Sequence, residues 1–244
     1  MASKILPEQI VLDVNLPDEQ TFLNFEAGEN ELVVEHLKQA IKTQSGGTQP
    51  FLTYLSGPTG AGKSHLLVAT CHLAKSLNLE HFYINLDEDL SYPSLILDGL
   101  ERLQVVCIDN IQWIQQSAQW QRAMFDLINR VKESNYCKLF LSSNAGPKAL
   151  NLALADLSSR LTWGISFHLN TLDESAAVSA LLKKAKYKGI AVPAESLKFL
   201  VQHCRRDMHT LTKTLDKIEH QSLQEKRKIS IPLIKQVLST IPPQ

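Results

Sequence analysis

One short glycine-rich stretch constrains this chain more than any other. Residues 57–64 have the sequence Gly-Pro-Thr-Gly-Ala-Gly-Lys-Ser, which matches the pattern G-x-x-x-x-G-K-S of a phosphate-binding loop, or P-loop. An apolar run at 51–55 precedes the loop, and leucine and alanine at helical spacing follow it over 65–75. A strand before the loop and a helix after it favour nucleotide binding, whereas the glycines alone would indicate only an exposed turn.

The loop residues have distinct chemical roles. The glycines permit a tight turn that brings backbone N–H groups close to a phosphate, and the N-terminus of the next helix adds a partial positive charge. The lysine can reach the β- and γ-phosphates, and the serine hydroxyl can ligate Mg²⁺. We therefore expect the nucleotide to be held by Gly57, Pro58, Thr59, Gly60, Ala61, Gly62, Lys63, Ser64 and His65.

A second part of the site is predicted where a later apolar run ends. Residues 105–108 are apolar and are followed by Asp109, whose carboxylate we expect to hold Mg²⁺ together with Ser64. An ATPase of this kind usually has glutamate at the next position to orient the attacking water, but this chain has Asn110. Because an amide cannot accept a proton from water, we expect nucleotide to be bound here and poorly hydrolysed. Asn144 is either an ordinary turn residue or a contact to the γ-phosphate or that water.

The order of the predicted elements indicates an α/β fold followed by helices alone. Helices are expected over 31–43, capped by Asn30, over 118–134, and in a short amphipathic segment that ends near Leu100. Five apolar runs predict strands of a parallel sheet, near 51–55, 80–85, 105–108, 138–141 and 165–169. Four helical segments follow without a strand between them, at 173–187, 194–203, 207–222 and 231–239.

These patterns predict a tail at 1–20, a nucleotide-binding domain at 21–170 and a small helical domain at 171–244. No apolar stretch approaches the length of a membrane span, and no signal peptide is evident, so we expect a cytoplasmic protein. Four widely spaced cysteines without a C-x-x-C motif indicate reduced thiols, and the histidines lack metal-binding spacing.

Charge is distributed unevenly although the formal net charge is zero. Residues 1–170 carry 12 basic and 18 acidic side chains, whereas residues 171–244 carry 13 basic and 7 acidic ones. The basic part is either a solvated helical domain or a surface for DNA or an acidic protein. The cations concerned are Lys183, Lys184, Lys186, Lys188, Arg227 and Lys228.

Short motifs in a specific order resemble the DnaA/Hda family of AAA+ proteins, over nearly the whole chain. Residues 21–30, with Phe22 and Phe25, are similar to the N-terminal box that closes over the nucleotide base in that family. Residues 156–164, Asp-Leu-Ser-Ser-Arg-Leu-Thr-Trp-Gly, resemble its arginine-finger box, with Arg160 as the finger. Residues 150–152 and 214–216 are also similar to Hda members of the family.

The resemblance implies a P-loop AAA+ domain with a parallel five-stranded sheet, followed by a small all-helical lid. It also implies a regulator that, with the DNA-loaded sliding clamp of DNA polymerase III, triggers hydrolysis of DnaA-bound ATP and prevents re-initiation of replication. A second copy of the chain is a further candidate partner. One departure is His209, at the position of a lid arginine that touches the nucleotide; Arg205 or Arg206 is the alternative residue for that contact. A neutral imidazole is a weaker phosphate ligand, so we expect the adenine nucleotide to be ADP rather than ATP.

Two other functions remain open from the sequence. Intact Lys63, Ser64 and Asp109 are compatible with a self-sufficient AAA+ ATPase of the helicase-loader type, although Asn110 argues against it. The basic lid is compatible with a DNA-binding module, but overall neutrality and the lack of a family DNA-reading domain argue for weak or indirect DNA contact. Arg160 itself has an alternative role, as a solvated residue or a partner of Asp156.

The tail contains a segment, Gln-Ile-Val-Leu-Asp-Val at 9–14, that resembles the clamp-binding peptide of Hda and of clamp-dependent polymerases. Gln9 can form paired hydrogen bonds, while Leu12 and Val14 lie on the same side of an extended chain and can fill an apolar pocket. Val11 and Asp13 depart from the usual pattern, and an edge strand is the alternative.

We predict that a peptide spanning residues 5–17 binds the cognate clamp. The double substitution Gln9→Ala, Leu12→Ala in the full chain should abolish clamp binding and clamp-dependent activity, because it removes both the amide and the apolar contact. Surface plasmon resonance on immobilised clamp measures this. Equal binding by the double variant and the unsubstituted chain would make the tail a structural strand only.

Overall fold

The computed structural model describes residues 16–43, 50–205 and 207–240. Within these ranges five strands form a parallel sheet, as the sequence predicted; across the sheet, the second, third, fourth, first and fifth strands of the chain follow one another, an order that the sequence did not predict. The candidate clamp peptide, with Gln9, Leu12 and Val14, lies outside the described residues, and so does Arg206. The strands are β1 (Leu52–Ser56), β2 (His81–Asn85), β3 (Val105–Asp109), β4 (Lys138–Ser143) and β5 (Ile165–His168).

Helices cover both faces of the sheet. Because side chains alternate along a strand, Val106 and Ile108 of β3 pack on one face, and Val105 and Cys107 pack on the other. Four helices lie on these faces: α1 (Glu31–Lys42), α2 (Lys63–Ser76), α3 (Ala118–Ser134) and α4 (Ala155–Leu161). The first face is covered by α3 and α4, and the second by α1 and α2.

Strand register brings the polar ends of three strands to one edge. Ser56 of β1 pairs with Ser143 of β4, so the P-loop and Asn144 follow neighbouring strands. Ile108 pairs with Leu141, which places the end of β3 beside them. All strands are parallel, so their carboxyl ends lie at the same edge, where ligands of open α/β sheets bind.

The remaining helices form a cluster with its own apolar core. Leu181, Leu200, Leu215 and Ile234, one from each helix, are all buried in it. This cluster is the lid, and its separate core agrees with a helical segment that follows the α/β part. The exact domain bounds remain predictions. The helices are α5 (Glu174–Tyr187), α6 (Ala194–His203), α7 (Met208–Gln224) and α8 (Ile231–Thr240).

Two local predictions were wrong. The amphipathic helix expected before Leu100 is instead two short 3₁₀ helices, Ser94–Leu97 and Leu100–Arg102, because Gly99 between them has a left-handed backbone (φ 82°) that a helix cannot continue through. Asn30 precedes α1 but makes no capping hydrogen bond. Its amide exchanges two hydrogen bonds with the backbone of Asn170, at 3.0 and 2.9 Å, and so joins α1 to the end of the sheet.

Other sequence expectations hold in the described part of the chain. All four cysteines are free, and three of them, Cys71, Cys107 and Cys137, are buried. None of the described helices combines the length and apolar character that a membrane span requires.

The junction between α4 and β5 offers a test of packing. A Cβ atom on Gly164 would lie 1.9 Å from the carbonyl oxygen of Leu52, and β1 pairing holds that carbonyl in place. We predict that Gly164→Ala lowers the free energy of unfolding by about 2–3 kcal/mol, as overpacking does. Gly146→Ala is the matched control, since nothing lies within 4 Å of its added Cβ. Urea unfolding measures both, and equal stability of the two variants would contradict the packing described.

Candidate functional site

The P-loop is enclosed by two other parts of the chain. Gly60 and Gly62 have left-handed backbones, with φ of 80° and 93°. An added Cβ on Gly62 would lie 2.6 Å from the ring of Phe25, and one on Gly60 would lie 2.7 Å from Cβ of Asp207. Only glycine therefore fits here, because the N-terminal segment and the lid both approach the loop closely.

The lysine of the loop is held inside it. Lys63 is 6% exposed, and its Nζ donates to the carbonyl oxygens of Gly57 at 2.7 Å and Pro58 at 2.9 Å. Burial lowers the pKa of Lys63, and the charge of Asp109 partly offsets this. Ser64 follows in the first turn of α2, where no described side chain caps the helix. Loop amides, an ammonium group and an uncapped helix N-terminus form a cradle suited to phosphate.

Asp109 is fully buried at the end of β3 and accepts two hydrogen bonds. Tyr83 Oη donates to Oδ2 at 3.0 Å, and Ser142 Oγ donates to Oδ1. Burial, followed by the charge of Asp109, raises the pKa of Tyr83, so the phenol remains protonated as a donor. No group of three histidine, cysteine or acidic residues that suits a metal occurs in the described residues. Mg²⁺ often takes one or two carboxylates plus substrate phosphates, so Asp109 and Ser64 fit a site completed by a nucleotide.

Amide side chains surround the position where a catalytic base would lie. Asn110 has a left-handed backbone (φ 59°), which asparagine tolerates well. Its Nδ2 donates to Oδ1 of Asn85 at 2.7 Å, and its Oδ1 accepts from Nε2 of Gln112 at 3.2 Å. Oε1 of Gln112 accepts from the backbone N–H of Asn144 at 3.3 Å. This network can hydrogen-bond a phosphate or a water, but it contains no proton acceptor of carboxylate type.

Sequence analysis missed four members of this edge: Tyr83, Asn85, Gln112 and Ser142. A signal was available for two of them, because Asn85 ends the second predicted strand and Ser142 directly follows the fourth. The hydroxyl of Tyr83 and the amide of Gln112 reach the site only through strand register and a short 3₁₀ helix, which no local pattern specifies.

On the lid side, a cleft of about 630 Å³ lies beside the contact between the P-loop and the start of α7. Asp207 caps α7 by accepting from the backbone N–H of Thr210 at 2.8 Å. His209 is exposed in the first turn of α7 and lines this cleft. The sequence analysis expected a lid residue at this position to contact the nucleotide. The cleft is lined by Pro58, Thr59, Thr171, Arg205, Asp207, His209 and Thr210.

The two aromatic residues of the N-terminal box have different environments. Phe25 lies against Gly62 and makes an edge contact with His65, at 5.2 Å between ring centroids. Phe22 instead lies 5.4 Å from the ammonium group of Lys38 on α1. Nε2 of His65 donates to the carbonyl of Thr21 at 2.8 Å, and burial lowers the pKa of His65, which favours the neutral ring. His65 therefore fastens the N-terminal box to α2.

Ion pairs and a hydrogen bond connect the N-terminal segment that contains this box to the lid; we call Glu19, Glu26, Ser179, Lys183 and Lys184 the lid latch. Glu26 accepts from Lys183 at 2.9 Å and from Ser179 at 2.8 Å, and Glu19 pairs with Lys184 at 3.9 Å. Burial alone would raise the pKa of Glu26, but the hydrogen bonds from Lys183 and Ser179, with the lysine charge, lower it below its ordinary value.

Arg160 lies far from the P-loop of its own chain. It is in the last turn of α4, its Nε donates to Oδ1 of Asn129 at 2.9 Å, and its guanidinium lies 3.8 Å from the ring of Trp163. Gly164, which follows Trp163, packs against Leu52 at the start of β1, whereas the P-loop follows the end of β1. The five residues of β1 that lie between these two points span about 16 Å. Among the described residues Arg160 forms no salt bridge, so the pairing with Asp156 is not seen.

Two family models match separate parts of the chain. The bacterial DnaA ATPase domain matches residues 96–168, and the Hda lid domain matches residues 173–238. Among solved structures, domain III of the Thermotoga maritima replication initiation protein DnaA has a TM-score of 0.80 and 19% identity, covering 93% of this chain and 99% of that one.

This chain belongs to the Hda/DnaA family of AAA+ proteins. AMPPCP-bound DnaA from Aquifex aeolicus has a TM-score of 0.69 and 20% identity, covering 84% of this chain and 66% of that one. The Thermotoga maritima RuvB Holliday junction branch migration motor, with a TM-score of 0.65 and 15% identity, shares the fold over 90% of this chain and 73% of that one. The prediction of an AAA+ α/β domain with a helical lid is thereby confirmed.

For this Hda/DnaA-family chain we predict that Lys63→Met weakens ADP binding about 10- to 100-fold, because it removes charge-assisted hydrogen bonds to phosphate and keeps the buried stem. Lys75→Met is the matched control, since Lys75 is exposed in the last turn of the same helix. Isothermal titration calorimetry gives the affinities. ADP binding of unchanged strength in Lys63→Met would exclude the loop as the phosphate site.

Proposed function

We propose that this protein is a nucleotide-binding AAA+ regulator that, with the DNA-loaded sliding clamp, stimulates hydrolysis of ATP bound to DnaA and so represses re-initiation of replication. The position of Arg160 is the observation that carries the proposal. Its guanidinium is held by Asn129 and Trp163 at the edge of the sheet opposite the P-loop, without an acidic partner among the described residues. A cation placed in this way is available to a nucleotide on another subunit.

The protein's own site is proposed to hold an adenine nucleotide, ADP in preference to ATP. The phosphate cradle of the P-loop and the AMPPCP-bound relative support nucleotide binding. The amides of Asn110 and Asn144 and the imidazole of His209 supply neither a catalytic base nor a strong cation for a γ-phosphate. Mg²⁺, when bound with the nucleotide, neutralises phosphate charge, and Ser64 and Asp109 are the residues that would hold it.

The nucleotide bound to DnaA is proposed to receive Arg160 in trans. During phosphoryl transfer, negative charge spreads over the equatorial oxygens, and a guanidinium there is worth about 10³–10⁵ in rate in other systems. The stacking of Arg160 on Trp163 and its bond to Asn129 reduce the entropy lost when the guanidinium meets the phosphate. Stimulation without turnover of its own makes the protein a regulator more than an enzyme.

We also propose how the chain contacts the clamp, a second copy of itself and DNA. The segment with Gln9, Leu12 and Val14 is proposed to bind the clamp, and a homodimer is a further assembly. Direct DNA contact is proposed to be weak, because most of the lid cations that suggested it are paired. Lys183 and Lys184 belong to the lid latch, Lys188 pairs with Asp216 at 2.7 Å, and Arg227 pairs with Glu225.

The alternative, a self-sufficient ATPase of the helicase-loader type, has one observation in its favour. Lys63, Ser64 and Asp109 lie together at the carboxyl edge, as a working site requires. The two functions differ in which protein binds the ATP that is hydrolysed: DnaA in the first case, and this chain in the second. Turnover by the purified chain alone, on the order of 1 s⁻¹ or more, would favour the alternative.

We predict that Arg160→Ala leaves ADP affinity and folding intact but reduces stimulation of DnaA-bound ATP hydrolysis at least about 100-fold, since a finger supplied in trans contributes only at the transition state. The assay follows release of labelled phosphate from ATP preloaded on DnaA, in the presence of DNA-loaded clamp. The matched control is Arg122→Ala, an exposed arginine on α3. If Arg160→Ala stimulates as well as the unsubstituted chain, Arg160 is not the finger and the proposed function loses its main support.

A further inference from the structure

Trp163 interacts with two cations. Nζ of Lys132 lies 3.7 Å from the centroid of its ring, and the guanidinium carbon of Arg160 lies 3.8 Å from the same residue's ring. Each cation is attracted to the ring by the negative potential of an aromatic face. Because both lie within 3.8 Å of one side chain, the ring holds two positive charges close to each other.

Neither cation has an acidic counter-ion in the part of the chain that the structure describes. No salt bridge there includes Lys132 or Arg160, although the lid cations Lys183, Lys184 and Lys188 all have acidic partners. Two cations at one ring repel each other when neither is neutralised by an acidic partner. Among the described residues they stay unpaired even though residues 1–170 carry more acidic than basic side chains.

The ends of two helices offer a purely structural explanation for the positions of Lys132 and Arg160. Lys132 is in the last turn of α3 and Arg160 is in the last turn of α4, where the partial negative charge of a helix C-terminus favours a cation. That effect is small at a solvent-accessible position and falls off within one turn. It stabilises each cation singly, but it does not account for their convergence on one indole.

We infer that Lys132 is a second phosphate-contacting residue, which acts beside Arg160 on the polyphosphate of a nucleotide held by the partner subunit. The inference rests on the proposed function. A chain of phosphates presents several anionic oxygens and can contact both cations at this ring, whereas a single carboxylate presents only two oxygens. Lys132 is exposed, so its ammonium group can leave the ring and follow the phosphate.

The test uses the same assay, with DnaA preloaded with ATP and clamp loaded on DNA. Lys132→Met keeps the stem that packs on Trp163 and removes only the charge, while Lys132→Arg keeps the charge. We expect Lys132→Met to lower the stimulated rate about tenfold, the effect of one hydrogen bond to a charged group. Lys132→Arg should retain at least about half of the rate, since an arginine can contact the same phosphate. Lys148→Met, at an exposed lysine after β4, is the control.

A second readout separates charge from packing. Raising the salt concentration should reduce stimulation less steeply for Lys132→Met than for the unsubstituted chain, because one screened contact is already absent. Urea unfolding should give equal stabilities. If Lys132→Met stimulates within twofold of the unsubstituted chain while Arg160→Ala does not, Lys132 only packs on the ring, and the proposed function stands without it. If Arg160→Ala also stimulates normally, the proposed function fails as well.

Discussion

The close approach of two segments to the glycine loop is the constraint on which the rest of the site depends. Phe25 lies against Gly62, and Asp207 at the start of α7 lies against Gly60, at distances that exclude any side chain on those glycines. The lid latch and the bond from His65 to Thr21 hold these segments in place. The N-terminal segment, the glycine loop and the lid therefore pack together at the phosphate cradle.

The parallel sheet separates the two activities that an AAA+ ATPase combines. Its carboxyl edge carries the phosphate cradle, Asp109 and a network of amides without a base. Its amino edge carries Arg160 on Trp163, about a strand length away. Arg160 therefore lies away from the P-loop of its own chain, and this separation is why we propose that it acts on a nucleotide of another subunit.

Charge in the lid illustrates how composition and structure can point to different functions. The surplus of basic residues after 170 suggested a surface for DNA or an acidic protein. In the structure, Glu19 and Glu26 from the acidic part of the chain pair with Lys184 and Lys183 of the lid. Two of the lid cations therefore stabilise the contact between lid and base, while Lys188 and Arg227 pair with acidic residues of the lid itself.

The sequence by itself determined the order of strands and helices, the P-loop and the place of Asp109, because these follow from local patterns: continuous apolar runs, helical periodicity and glycine spacing. It failed before Leu100, where the left-handed Gly99 interrupts the helix. Only the tertiary structure decided which polar groups meet. Tyr83 reaches Asp109 across 26 residues, and Asn30 bonds Asn170 across 140 instead of capping α1. Such contacts depend on strand register and on lid placement, which are set by packing of the whole chain and leave no signal in a short stretch of sequence.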